Sequence, residues 1–302
     1  MRGYSTRTCW SILILAVIGC LLGLPTSSIH KQRPTQALPP HLLARKSVVA
    51  DSSELPWQYD LDFHSATKRH QTPATLAACR LVLEEPIAQE SYNVALAAQR
   101  LKGITVAAGA VFSLNESLGP YTEERGFLPG PNYVGGQVVM GVGGGVCKIA
   151  TALYNLTVLS DLPVIQRKAH TMVVPYVPPG QDATVSLAAQ VDYKFRNNTP
   201  RPILIWAQVT DDTLYMAFYG ERSGPTVQWR HKVISHTPAT IVRRLNPELK
   251  AGEERELSPG YDGYCVRSWA EITYADGQTK TRHLGVSCYT MAPEIIEYGP
   301  ET

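Results

Sequence analysis

The sequence lacks the marks of several large functional classes. Its 28 lysines and arginines are nearly balanced by 26 aspartates and glutamates, leaving a net charge of +2 without a long basic run. The electrostatic footprint of a nucleic-acid-binding protein is therefore missing. No paired cysteines stand at zinc-ligand spacing, and neither a metal nor an organic cofactor is expected. The glycine-rich run in GVGGGVCKIATALYNL has no glycine directly before Lys148 and no hydroxyl directly after it, so it is not a phosphate-binding loop. Beyond Pro25 no apolar run reaches the roughly 20 residues of a membrane-spanning helix, and no internal repeat is visible. What is present is a 302-residue chain, 44% hydrophobic and 18% charged, with the balance of a globular protein long enough for two domains.

The N-terminus is biased differently. Arg2 and Arg7 precede WSILILAVIGCLLGL, which ends at Pro25 and the small polar residues Thr26, Ser27 and Ser28. This layout over residues 1–28 is that of a secretory signal or N-terminal membrane anchor. Three outcomes stay open: cleavage, lipidation at Cys20 (VIGC resembles a lipobox), or an uncleaved anchor. All three place the protein outside the cytoplasm, secreted or held at the cell envelope. Residues 29–78, with scattered prolines and mixed charge, read as a linker.

Export sets an oxidising context for the six cysteines. Cys9 and Cys20 lie in the signal, which leaves Cys79, Cys147, Cys265 and Cys288. Between the last two, Asp276-Gly277 suits a two-residue hairpin turn, and with that turn Cys265 falls directly opposite Cys288, close enough for a disulfide. Cys79 and Cys147 could pair with each other.

The rest reads as α+β. SYNVALAAQRLKG is a helix stopped by Gly103, and residues after Cys147 carry an apolar stripe, Ile149, Leu153, Leu156 and Leu159, at helical spacing. PVIQRKAH and DATVSLAAQVDYKFRN read as strands, and PILIWAQV and TLYMAFYG as a hairpin across Asp211-Asp212. The expected architecture is a helix with a cysteine at its N-terminus packed on an antiparallel sheet, residues 79–222, followed by an all-β module, residues 223–302.

Four ordered stretches, SYNVALAAQRLKGITVAAGAVFSLNESLGPYTEERGF, GVGGGVCKIATALYN, AHTMVVPYVPPGQDATV and DYKFRNNTPRPILI, resemble successive signatures of the VanW-like family, across roughly Tyr92 to Gly220. The resemblance implies an exported or membrane-attached bacterial protein, some members occurring in glycopeptide-resistance gene clusters, with peptidoglycan or another cell-wall polymer as partner. Where members commonly read Gln and Ser, this chain has Lys148 and Ala150, so roles tied to those side chains do not carry over. The tail from Leu249 is similar to G5-type β modules, which accompany cell-wall proteins.

The thiol invites a chemical reading. A cysteine in the first turn of a helix is stabilised as thiolate by unpaired N–H groups and the helix dipole, and Gly143, Gly144 and Gly145 would let a substrate backbone approach. His170 and Asp182 follow in the order of a Cys-His-Asp site: nucleophile, base and orienter, as in papain-like or transglutaminase-like enzymes. Asp192 is a second candidate orienter, Arg125 a possible clamp for a substrate carboxylate, and Tyr176 a possible groove residue. The expected function is a cysteine-dependent hydrolase or acyl transferase acting on a peptidoglycan amide. Against it stands a non-catalytic wall-binding or scaffolding protein, in which Cys147 is structural, Asp182 caps a turn and His170 is a core or surface histidine. A third possibility is an enzyme that lost activity with Lys148 and Ala150.

Overall fold

The computed structural model describes residues 49–84, 86–134 and 137–301. The signal sequence with Cys9 and Cys20, and the first part of the expected linker, lie outside the described residues. In chain order the elements are α1 (Leu61–His70), β1 (Ala74–Val82), α2 (Ala88–Leu101), β2 (Thr105–Val106), β3 (Val111–Ser113), α3 (Leu114–Leu118), β4 (Pro129–Val134), β5 (Gln137–Val142), α4 (Val146–Leu159), β6 (Val164–Gln166), β7 (Lys194–Arg196), β8 (Ile203–Thr210) and β9 (Thr213–Gly220). The C-terminal part is all strand: β10 (Thr226–Thr237), β11 (Ile241–Leu245), β12 (Glu254–Tyr261), β13 (Gly263–Thr273), β14 (Thr279–Tyr289) and β15 (Ala292–Tyr298). The fold is mixed α+β with mostly antiparallel sheets; β11 and β15 pair in parallel.

A four-stranded sheet, β1-β9-β8-β2, backs the first part. Its β8–β9 hairpin turns on Asp211 and Asp212, both with positive φ, as a type I′ turn requires. β1 pairs with β9 along its whole length, and Asp60 caps α1 by accepting from the Asp62 N–H. The segment from Val49 to Ala78 is thus not a tether but folded structure. Trp57 and Phe63 bury against Trp206 and Tyr219, and that apolar area outweighs the polar composition that suggested a linker. Among the described residues no helix is long and apolar enough to cross a membrane.

The site helix α4 differs from the expected one-sided stripe. Every residue from Lys148 to Leu159 is buried, polar ones included. The helix contacts β1 and β9, α2, β6 and, from the C-terminal part, β10. Ile149, Leu153 and Leu156 are fully buried, each worth about 1.5–3 kcal/mol. Its polar positions bond inward: the Thr157 hydroxyl donates to the Leu153 carbonyl, and the Asn155 amide to the Gln181 carbonyl.

In the C-terminal part β10-β13-β14 form one sheet and β11-β15-β12 another. Cys265 lies opposite Cys288 and is bonded to it, yet the turn is not the two-residue one. Gly277 N–H donates to the Tyr274 carbonyl and Tyr274 N–H to the Gln278 carbonyl, so Ala275, Asp276 and Gly277 form the loop and Thr273 faces Thr279. A bulge between Gly285 and His283 shifts the register back by one before the cysteines.

The glycine run is shaped by packing. Gly144 presses on the Gly130 backbone, where an added Cβ would lie 2.1 Å from the Gly130 carbonyl carbon, and Gly145 turns the chain into α4 with φ +101. Gly144→Ala is therefore expected to cost about 3 kcal/mol, the upper end for overpacking because backbone rather than side chain must yield; urea unfolding of the variant beside wild type measures it.

Candidate functional site

Three chain segments converge at the start of α4. The Cys147 thiol, second residue of the helix and only partly buried, lies 3.2 Å from the Thr184 hydroxyl and 3.7 Å from the Val185 carbonyl. It opens on a cleft of about 500 Å³ lined by Tyr121, Asn132, Gly143, His170, Val185 and Leu187, among others.

His170 and Asp182 do not sit on regular strands. β6 and β7 pair at Val164–Phe195 and Gln166–Lys194, and nearer the site the isolated antiparallel bridge Lys168–Thr184 brings His170 across from Asp182. A turn from Leu187 to Gln190, closed by the Ser186–Val191 bridge, interrupts the second expected strand, and β7 keeps only three residues. One Asp182 oxygen accepts from the His170 backbone N–H at 2.7 Å and faces His170 Nδ1 at 2.8 Å. With Nδ1 held there, Nε2 is the ring nitrogen left for the thiol.

Asp182 is fully buried, and a buried carboxylate must be paired. Its second oxygen accepts from Arg167 Nη2 at 3.1 Å and from the Tyr289 hydroxyl, while Arg167 Nε donates to the Asp182 carbonyl at 2.7 Å. Burial alone would raise this carboxyl; the His170 hydrogen bond, the Arg167 charge and the Tyr289 hydroxyl bring it down to about 2. Burial would likewise lower His170, but the hydrogen bonds to Asp182 and Cys147 raise it to about 9. For Cys147 burial raises the thiol; the His170 hydrogen bond and charge, aided by Thr184, override it and hold the thiol below its ordinary value. These directions agree on a thiolate–imidazolium pair oriented by a carboxylate.

The other sequence candidates fall elsewhere. Cys79 and Cys147 are both free, so the disulfide between them is excluded: Cys79 is buried on β1 with its thiol 3.7 Å from the Ala152 carbonyl, in mid-α4. Gly143 lines the cleft, whereas Gly144 packs on Gly130 and Gly145 on Glu90 and Val94. Arg125 lies in an exposed turn, its carbonyl accepting from Arg100, and does not reach the cleft. Tyr176 is buried behind the site, edge-on to the His170 ring at 6.4 Å. Asp192 is no orienter: it accepts from Ser113 Oγ at 2.6 Å and Asn115 N–H at 3.0 Å, at the start of α3. The sequence reading missed Arg167, Thr184, Ser287 and Tyr289. Arg167 and Thr184 sit within three residues of a candidate and were within reach; Ser287 and Tyr289 come from a distant strand that no local pattern links to Asp182.

Residues 89–219 match the family model described as VanW like protein. This stretch is a VanW-like domain. Among curated proteins, the uncharacterized protein YoaR of Bacillus subtilis is 35% identical over 158 residues, 52% of this chain and 51% of that one. The vancomycin B-type resistance protein VanW of Enterococcus faecalis is 26% identical over 137 residues, 43% of this chain and 49% of that one. The chain spans about half the length of the curated relatives it matches. Among solved structures, the G5 domain of an IgA1 protease is 20% identical with a TM-score of 0.18, covering 26% of this chain and 94% of that one.

In this VanW-like domain Lys148 points away from the cleft. It is buried, ion-paired with Glu90, and its ammonium lies 5.1 Å from the Tyr176 ring centroid. Removing one partner of such a pair strands a buried charge. Lys148→Gln is expected to lose about 3–5 kcal/mol in urea unfolding, with most of it regained in the double variant carrying Glu90→Gln.

The Asp182 carboxyl ties stability to pH. Its folded value, about 2, lies below the 3.8 of a free aspartate, so its contribution is present above pH 3.8 and is lost as pH falls through about 2. Asp182→Asn is expected to be less stable than wild type by on the order of 2 kcal/mol near neutrality, and denaturant titrations at descending pH should show that gap closing between pH 4 and pH 2.

Proposed function

We propose that this VanW-like protein is an exported, envelope-associated thiol enzyme that hydrolyses or transfers the acyl group of a cell-wall peptide amide. The observation that carries it is the line Cys147, His170, Asp182, with the carboxylate buried, fully paired and bonded to the imidazole nitrogen remote from the thiol. A cysteine whose only task was packing would not need a histidine held in one tautomer by a buried acid. The wall substrate is supported by the signal-like composition of residues 1–28 and by the relative named for vancomycin resistance.

In the reaction the Cys147 thiolate attacks the amide carbonyl carbon, forming a C–S bond and an oxyanion. The Cys147 N–H, in the first turn of α4, supports that charge together with the positive end of the helix. His170, protonated at Nε2, gives its proton to the leaving amine as the C–N bond breaks. Water, or a second amine in the transfer case, then attacks the thioester after losing a proton to His170; the thiolate leaves and the imidazolium is restored. Asp182 keeps the ring in place throughout. Gly143 and the uncharged residues that line the rest of the cleft give an extended peptide room beside the sulfur.

The test is the pH dependence of Cys147 alkylation by iodoacetamide. Wild type is expected to react at lower pH than a free thiol, because the thiol lies below its ordinary value. His170→Ala removes the counter-charge, so the inflection should move above the ordinary thiol value and the rate below it should fall about tenfold for each pH unit the inflection moves. A wild-type protein inert until alkaline pH would return the chain to a non-catalytic, wall-binding role.

A further inference from the structure

The C-terminal strands do more than follow the VanW-like domain: we infer that they are part of its thiol site, with Tyr289 as a positioning residue that holds Asp182. This rests on the function proposed above and deepens it.

Residues 169–182 carry both His170 and Asp182, are mostly irregular, and have little sheet of their own to fix them. Their conformation is imposed from two sides. From α4, Asn155 donates to the Gln181 carbonyl and the Thr151 hydroxyl accepts from Ala183 N–H. From the C-terminal part the contacts are more numerous. The Tyr289 hydroxyl, at the end of β14, donates to Asp182 and accepts from Gly180 N–H at 2.6 Å. Two residues earlier on the same strand face, the Ser287 hydroxyl accepts from Arg167 Nη1 at 2.7 Å, while Arg167 Nη2 reaches Asp182. Thr290 N–H donates to the Thr171 carbonyl at 2.7 Å. Val173 packs with Val233, Tyr264, Val266 and Tyr289. Gly180 lies so close to β13 that a Cβ there would sit 2.2 Å from Ser268 Oγ, and its neighbour Gln181 bonds His231 on β10 at 2.9 Å.

A phenol that only filled space would need no hydrogen bond to the orienting carboxylate. The titratable and charged groups facing Asp182 are His170 and Arg167 from the neighbouring turns, Tyr154 from α4 and Tyr289 from β14; Cys147 faces His170 and Tyr121. Removing the Tyr289 O–H leaves Asp182 one donor short. At the pH of the thiol inflection the carboxylate stays ionised, and its charge, less neutralised, disfavours the thiolate across the imidazole. The acid inflection of thiol reactivity therefore moves upward.

The experiment compares full-length wild type, Tyr289→Phe and Ser287→Ala, with Val286→Thr on the exposed face of β14 as control. Iodoacetamide alkylation of Cys147 is followed against pH, with circular dichroism and the intact Cys265–Cys288 disulfide as folding checks. Tyr289→Phe is expected to react about tenfold more slowly than wild type below the inflection, which moves upward; Ser287→Ala should move it less, and Val286→Thr not at all. A folded Tyr289→Phe whose profile overlies wild type overturns the inference while leaving the thiol chemistry standing. Should Tyr289→Phe fail to fold, Ser287→Ala decides: an unmoved profile overturns the inference. An inert wild type overturns the enzyme reading instead.

Discussion

A carboxylate with no access to water is the demand around which this site is organised. Asp182 takes hydrogen bonds from the backbone N–H and the imidazole of His170, from the guanidinium of Arg167 three residues earlier, and from the phenol of Tyr289 on β14. Left with fewer partners the acid would cost several kcal/mol to bury. Fully partnered, it holds His170 by Nδ1 and, through it, helps to keep a thiol on another element below its ordinary value. Packing of the irregular segment, placement of Arg167 and docking of β14 are all parts of meeting this one requirement.

The site divides into a rigid and an adaptable half. Cys147 rides on a helix whose residues from Lys148 onward are all buried, so the sulfur is placed by a firmly packed element. Its two partners lie on a chain segment without regular hydrogen-bonded ladders, which takes its shape from neighbours. Such a segment can meet the unusual angles that a three-residue relay needs, and the bond network replaces the rigidity that a sheet would have supplied. The buried Lys148–Glu90 pair belongs to the rigid half, locking the first turn of α4 to α2.

Much of this was legible in sequence where the signal is local. Helix α2 and the β8–β9 hairpin follow from periodicity and turn residues, and of the expected Cys147, His170 and Asp182 the first two line one cleft while Asp182 is buried behind it, bonded to His170. What sequence hid was tertiary. The Val49–Ala78 segment looks like a tether because its few aromatics are spaced irregularly, yet Trp57 and Phe63 find a prepared apolar surface. The burial of Thr151 and Asn155 on α4 cannot be read from a hydrophobic pattern, since it depends on backbone carbonyls brought there by another segment. The glycine run looked like a substrate cradle, but two of its three candidate glycines are needed for contacts with the chain itself. Tyr289 is invisible from Asp182 because 107 residues separate them.

The β13–β14 hairpin adds a consequence for anyone altering the chain. Its three-residue loop and the bulge at Leu284 are two opposite one-residue offsets that cancel. Side chains on a strand alternate faces, so undoing either offset alone would turn Ser287 and Tyr289 outward and Cys288 inward. A change at the tip of this hairpin that slides β14 by one residue along β13 would thus act as a lesion in the site.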